Sequence, residues 1–76
     1  MDLHLTHVNG PRILVEGSAP RRLVLLNVGS EALAVTVDSI SADSLPSKQV
    51  IYVTANRVSV NKGEGTTGSD LVYAVE

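Results

Sequence analysis

Apolar residues recur at every second position along much of the chain, or in short runs, and clusters of Gly, Pro, Asn and Ser interrupt them about every ten residues. This alternation is typical of antiparallel β structure, because successive side chains of a strand point to opposite faces. No segment shows the spacing of an amphipathic helix. The pattern predicts strands at residues 2–8, 12–16, 21–27, 32–38, 49–55, 57–61 and 70–76.

The residues between these segments have the chemistry of turns. Residues 9–11 and 17–20 each contain a glycine, which tolerates positive φ, and a proline, whose φ is locked. Residues 27–30 lie between two apolar segments and predict a tight hairpin, whereas residues 39–48 predict a longer link between two sheets. We therefore expect one domain over residues 1–76, an all-β antiparallel immunoglobulin-like sandwich of about seven strands. A small partly open β-barrel is the alternative.

Several predicted strands are apolar on both faces. The segments 32–38 and 57–61 alternate between apolar and polar residues, as half-buried strands do. The segments 23–26, 50–53 and 71–75 are apolar at consecutive positions, although one face is enough to fill a core between two sheets. The surplus is either ordinary scattered surface or a patch that another protein covers. We favour the patch, and the contact candidates are Val24, Leu26, Tyr52 and Tyr73.

Composition and charge narrow the function classes. The 76 residues include no Cys, Phe or Trp, so disulfides and thiolate metal sites are excluded, and we expect a thin core whose stability gains from association. A formal net charge of -2 argues against binding that depends on phosphate contacts, and two tyrosines are few for a carbohydrate or single-strand platform. There is no secretory leader pattern and no apolar run long enough to cross a bilayer. We expect a cytoplasmic or virion location.

Residues 25–35, Leu-Leu-Asn-Val-Gly-Ser-Glu-Ala-Leu-Ala-Val, form an apolar strand, an Asn-x-Gly-Ser turn and a second apolar strand. In this pattern the chain resembles hydin-like (ASH-type) immunoglobulin-like domains. Residues 15–18, Val-Glu-Gly-Ser, are similar to the glycine turn before that strand, and residues 45–54 are similar to the later proline turn and strand. The resemblance covers about half of the chain. It implies a binding or architectural module with no catalytic residues.

No catalytic, metal or cofactor site emerges from the remaining motifs. Gly63, Gly65 and Gly68 match Gly-x-Gly-x-x-Gly, but the dinucleotide site requires a following helix, and the eight residues after Gly68 alternate like a strand. We expect a flexible loop there, and its glycines are a second contact candidate. His4 is at an even position and His7 at an odd one, so a strand places them on opposite faces. We therefore expect that they do not chelate one metal ion together.

These observations together predict a non-enzymatic structural or interaction module that needs no cofactor. We expect it to assemble with itself or with a larger protein complex, and not with nucleic acid or membrane. A phage-type virion accessory subunit, for capsid decoration or tail, is the specific expectation. The alternative is a β-sandwich module that binds carbohydrate or a small molecule, which would require aromatic platforms and convergent polar groups.

Overall fold

The protein forms one curled antiparallel sheet. The computed structural model describes residues 2–40 and 43–76, and these contain no helix. The strand order across the sheet is β1-β6-β2-β5-β3-β4. The curl brings β1 into contact with β5, although two strands lie between them in the sheet. The strands are β1 (Leu3–Val8), β2 (Arg12–Asn27), β3 (Leu33–Val37), β4 (Asp43–Leu45), β5 (Val50–Lys62) and β6 (Ser69–Val75).

Two long strands, β2 and β5, run through the whole sheet and divide it into two halves. Residues 21–26 of β2 pair with residues 50–55 of β5, and β6 and β1 follow on the other side of β2. We call these four strand segments the front half. The back half consists of residues 12–16 of β2, residues 57–62 of β5, β3 and β4. The sheet therefore has two four-stranded halves that share one β2–β5 ribbon.

The ribbon changes register where its two halves meet. Glu16 is opposite Arg57 and Arg21 is opposite Ala55, so four residues of β2 face a single residue of β5. Such an insertion bends and twists a strand, which suits a sheet that must curl back over itself. Pro20 is tolerated in this insertion because a bulge does not need its missing N–H. The turn predicted at residues 17–20 is therefore a bulge within one strand.

The core lies between the two halves on the inner face of the curled sheet. Its fully buried side chains are medium-sized, as expected for a chain without Phe or Trp, and β1 and β6 contribute Val8 and Leu71. The half-buried strands predicted from the alternating apolar and polar residues of segments 32–38 and 57–61 are confirmed. The buried apolar cluster consists of Val8, Val15, Leu23, Leu25, Leu33, Val35, Leu45, Ala55, Val58, Val60 and Leu71.

The prediction of an all-β antiparallel chain is confirmed, with differences in detail. The first, fourth and last predicted strands correspond to β1, β3 and β6, but segments 12–16 and 21–27 are one strand, and so are 49–55 and 57–61. The long connection at 39–48 contains β4, while its residues 41–42 lie outside the described part. The described residues thus form six strands, and the sandwich of seven is not confirmed. The curled half-barrel is closer to the partly open barrel.

The tight hairpin predicted at residues 27–30 is wrong. β2 and β3 are not neighbours, because β5 lies between them in the sheet. The segment crosses from the front half to the back half and is held by β6, where the N–H groups of Val28 and Gly29 both donate to the Asp70 carbonyl. A Cβ at Gly29 would lie 1.9 Å from the Ser69 Oγ and 2.6 Å from the Asp70 nitrogen, so only glycine fits this crossing.

A fully buried polar side chain, Asn27, ties this crossing to the rest of the sheet. Its amide nitrogen donates to the carbonyls of Glu31 (2.7 Å) and Leu45 (3.0 Å). Its amide oxygen accepts from the Gly29 N–H (3.1 Å) and the Ser69 hydroxyl (2.8 Å). Each amide hydrogen has a partner and the oxygen has two, so the cost of burying the group is compensated. Asn27 thereby connects β2, β4 and β6.

Candidate functional site: the outer face of the front half

The outer face of the front half is formed by two apolar rows, each crossing all four strand segments. Residues directly opposite each other in antiparallel strands share a face. The register places Leu5 beside Val72, Val72 beside Leu26, and Leu26 beside Val50. The adjacent row consists of Leu3, Ala74, Val24 and Tyr52. We call these eight residues the outer apolar face.

Much of this apolar surface is in contact with solvent. Tyr52 is 80% exposed, Leu3 and Leu5 are each 72% exposed, and Val50 is 47% exposed. Val24, Leu26 and Val72 are half-buried, and only Ala74 is fully covered by its neighbours. Strands spaced about 4.8 Å apart make each row about 14 Å wide between the outer strand axes. The exposed leucines and tyrosine stand at the two sides of a continuous patch rather than as isolated residues.

Polar pairs, each containing one carboxylate, border the outer apolar face at both ends of the strands. At one end His7 and Asp70 are opposite each other, and the His7 Nδ1 lies 2.8 Å from the Asp70 Oδ1. At the other end the Arg22 Nε lies 3.3 Å from the Glu76 Oε2. Both pairs are largely exposed, so each contributes little to stability. An apolar centre with a polar rim is the usual anatomy of a protein contact surface.

The outer face of the back half is polar by comparison. Thr36 is opposite Ser59, and Ala34 lies between Asn61 and Ser44. Ile13 is the exception, since it is opposite Ser59 and 51% exposed. The same sheet therefore has one polar and one apolar outer surface. General scatter of surface leucine and valine would not produce this difference between its halves.

The predicted contact residues fall on both faces of the front half. Val24, Leu26 and Tyr52 all belong to the outer apolar face, and Val24 is directly opposite Tyr52. Tyr73 lies on the other face, where it packs against the core and stacks on His4 with ring centroids 5.1 Å apart. The structure thus brings three of the four candidates together.

Other members of the outer apolar face were missed from sequence. Leu3, Leu5, Val50, Val72 and Ala74 were not among the candidates. The alternation of leucine with histidine at the start of the chain was a signal for Leu3 and Leu5. Only the β1–β6 and β6–β2 registers connect those leucines to Val24 and Leu26.

The glycine segment at residues 63–68 is packed against the chain itself. Gly63 and Gly68 are buried, and a Cβ at either position would meet backbone oxygen, of Ala32 at 2.6 Å and of Val8 at 2.4 Å respectively. Gly68 also has a φ of 113°. Gly65, with a φ of 79°, is the one of the three with open space beside it. Of these three candidate residues, Gly65 is the one whose surroundings leave room for a partner.

The remaining polar side chains that the structure describes do not converge on a chemical centre. His4 and His7 lie on opposite faces of β1, as predicted from their parity. Within residues 2–40 and 43–76 no three His, Asp or Glu side chains gather in a way that would hold a metal ion. A shallow depression between β2 and β5 is lined by side chains of Arg22, Val24, Tyr52, Thr54 and Glu76.

The described part of the chain has no helix with the length and apolar character needed to cross a membrane. No protein-family model, curated protein or solved structure matches this sequence or fold. A proposal about function therefore rests on the geometry of the outer apolar face.

Proposed function

We propose that this protein is a non-enzymatic interaction module that assembles with itself or with a larger protein complex through its outer apolar face. The observation that carries the proposal is the pair of apolar rows across four strand segments, on a sheet whose other half is polar outside. Binding is favoured over catalysis because the polar groups at the rim pair with each other. They do not point toward a shared reaction centre.

The free energy available from covering this face is large for so small a chain. Complete burial of a large apolar side chain is worth about 1.5–3 kcal/mol, so covering Leu3, Leu5 and Tyr52 offers about 3–7 kcal/mol after allowance for their present partial burial. Association costs reduce this gain. The whole domain is expected to be stable by only about 4–11 kcal/mol, at about 0.05–0.15 kcal/mol per residue. Assembly would therefore add substantially to its stability.

At a finer level we propose that the assembly is a virion and that the chain is a phage-type capsid or tail accessory subunit of immunoglobulin-like (ASH-type) ancestry. A cysteine-free β module with an apolar outer face suits assembly in cytoplasm. The Asn-x-Gly-Ser segment behind the resemblance has demanding structural roles, in the buried Asn27 and the crowded Gly29. Capsid or tail genes beside its gene are expected. An operon of metabolic enzymes would contradict the virion assignment.

The assembly proposal is tested by site-specific photocrosslinking in the cell that makes the protein. A photoreactive residue at Leu5 probes the outer apolar face, and one at Ser44, which is exposed on the polar outer face of the back half, is the matched control. Covalent adducts to protein are expected at Leu5 in clear excess over Ser44. Equal, low yields at the two positions would refute the proposal.

A second candidate function is binding of a carbohydrate or other small polar ligand in the depression beside Tyr52. The observation in its favour is that the exposed tyrosine ring adjoins the Arg22–Glu76 pair, which combines a flat apolar surface with polar groups. Titration with neutral sugars, followed by amide chemical shifts, tests it. Shifts confined to Tyr52, Arg22 and their neighbours support a ligand site, and unchanged spectra at millimolar sugar eliminate it for that ligand class.

A further inference from the structure

The first half of β5 is an unpaired strand edge. Residues 50–55 pair with β2 on one side, whereas β3 joins the other side of β5 only from Val58 onward. Asp38 ends that second ladder, since its carboxylate accepts from the N–H groups of Asn56 (3.0 Å) and Arg57 (2.9 Å). Within the described residues no strand lies against the free side of residues 50–55.

The hydrogen bonds around β2 show which backbone groups point to that free side. The Val28 N–H donates to Asp70 and the Arg22 carbonyl accepts from Glu76, so the even-numbered residues of β2 point to β6. Asn27 instead exchanges hydrogen bonds with the Lys48 N–H and the Gln49 carbonyl, a bulge in which Lys48 has a φ of 66°. The odd-numbered residues of β2 thus point to β5.

The alternation of an antiparallel ladder extends this assignment along β5. Ile51, opposite Leu25, and Val53, opposite Leu23, direct their N–H and C=O groups to β2. Val50, Tyr52 and Thr54 therefore present theirs to the free edge, and their side chains lie on the outer face. Among the described residues none bonds to these groups, so the edge offers three free donors and three free acceptors at alternate residues.

Two of the other free strand edges have features that discourage pairing, whereas residues 50–55 have none. β4 has only three residues and begins with Asp43. The free side of residues 12–16 is interrupted by a register shift and has Arg12 and Glu16 at its ends. Residues 50–55, Val-Ile-Tyr-Val-Thr-Ala, contain no charge, proline or glycine, and proteins rarely leave such an edge open.

We propose that a second copy of this chain pairs with residues 50–55 in antiparallel orientation, about a two-fold axis through Tyr52. Tyr52 then lies opposite its own symmetry mate, and Val50 lies opposite Thr54 of the other copy. This register aligns all outward-pointing groups and forms six backbone hydrogen bonds between copies, because each of the three aligned pairs exchanges two. A shift by two residues aligns two pairs and forms only four.

Charge and the outer face both favour a second copy as the occupant. No charged residue of the edge meets another across the axis, so the net charge of -2 on each chain is not concentrated at the contact. The two outer apolar faces become continuous in an eight-stranded front sheet, which also reduces the exposure of Tyr52. This inference rests on the proposed function, because it names the partner for one side of the same surface. A contact between one six-residue strand segment of each copy is at the low end of the size range for specific complexes. We therefore expect a dissociation constant in the micromolar range.

Disulfide trapping tests the register directly, because the natural chain has no cysteine. Opposed hydrogen-bonded residues have Cα atoms about 5.5 Å apart, within the range that a disulfide spans. Y52C is therefore expected to form covalent dimers at least about tenfold faster than V50C. A mixture of V50C and T54C is expected to cross-link to each other faster than either does to itself. Equal rates for Y52C and V50C would overturn the register.

Charge variants give a second, non-covalent test. Y52K and Y52E each place like charges opposite each other at the axis, so each is expected to be monomeric in sedimentation at concentrations where the natural chain dimerises. Mixing the two is expected to restore a dimer containing one of each in native mass spectrometry. Circular dichroism of each variant confirms folding, since Tyr52 is 80% exposed.

The outcomes separate this inference from the proposed function. A natural chain that stays monomeric at about 1 mM, a concentration that captures even weak complexes, refutes the paired edge. If Leu5 still cross-links to another protein in the cell, the interaction module stands and only the self-pairing fails. If dimers form through Tyr52 but Leu5 captures nothing above the Ser44 control, the edge contact stands and the role of the outer apolar face fails.

Discussion

Replacing Asn27 with alanine should remove much of the stability of this fold. The side chain is fully buried and makes four hydrogen bonds, which join the end of β2 to the crossing, to β4 and to β6. Alanine supplies none of them. The Leu45 carbonyl and the Ser69 hydroxyl would then lose this partner in a buried environment, and the Glu31 carbonyl and the Gly29 N–H would lose it in a partly buried one.

The loss in the free energy of unfolding can be worked out from these four hydrogen bonds. A hydrogen bond contributes about 0.5–1.5 kcal/mol net, so four contribute about 2–6 kcal/mol, and buried groups left without partners add to the loss. The stability of a chain of this length is about 4–11 kcal/mol. N27A is therefore expected to lose at least about 2 kcal/mol, which is a large share of that stability. S69A removes only one of the four bonds, and we expect it to cost about 1 kcal/mol.

Urea unfolding followed by far-ultraviolet circular dichroism measures these losses. N61A is the matched control, because Asn61 is exposed and, among the described residues, its side chain bonds only to the adjacent Lys62 N–H. Its effect should therefore stay within about 0.5 kcal/mol. The double variant N27A/S69A should lose less than the sum of the single losses, because the two residues share one bond. A loss below about 0.5 kcal/mol for N27A would refute the reasoning.

Three further predictions concern the backbone and are checked by the same unfolding measurement. G29A should destabilise the chain by about 1–3 kcal/mol, because its Cβ meets Ser69 and the backbone of Asp70. An unchanged midpoint of urea unfolding would contradict the crowding at the crossing. G17A, with no atom near its Cβ and no positive φ, should be neutral or stabilising by up to about 1 kcal/mol. S39G should be stabilising by up to about 1 kcal/mol, because Ser39 has a φ of 62° in a turn closed by the hydrogen bond from the Ile40 N–H to the Val37 carbonyl. A clear loss of stability in S39G would contradict backbone strain at this residue.

The local sequence pattern was sufficient to predict which side chains are buried where a strand has one polar face. Val35 and Val37 alternate with polar residues, and so do Val58 and Val60, and the structure buries or half-buries these valines while Thr36 and Ser59 lie on the outer side. In such segments only one orientation removes the apolar side chains from water. The hydrophobic effect therefore determines the face before any neighbour is known.

The local sequence pattern was insufficient to predict the path of the chain where the same residues suit two different structures. Gly17 and Pro20 are suited to a hairpin turn and equally to a bulge. Whether β2 reverses or continues there depends on β5, which is long enough to pair with it on both sides of the insertion. Residues 27–30 pose the same problem, since β5 separates the two strands that they connect.

The sequence by itself determined that this chain is antiparallel β structure, which residues share a face within each strand, and that it has more apolar strand surface than one core requires. Only the tertiary structure decided that Val24, Leu26 and Tyr52 point outward while Tyr73 points to the core, and that residues 50–55 form an open edge. The physical reason is that a strand apolar on both faces gains similar burial in either orientation. Pairing and packing with strands distant in sequence must then determine which face meets water.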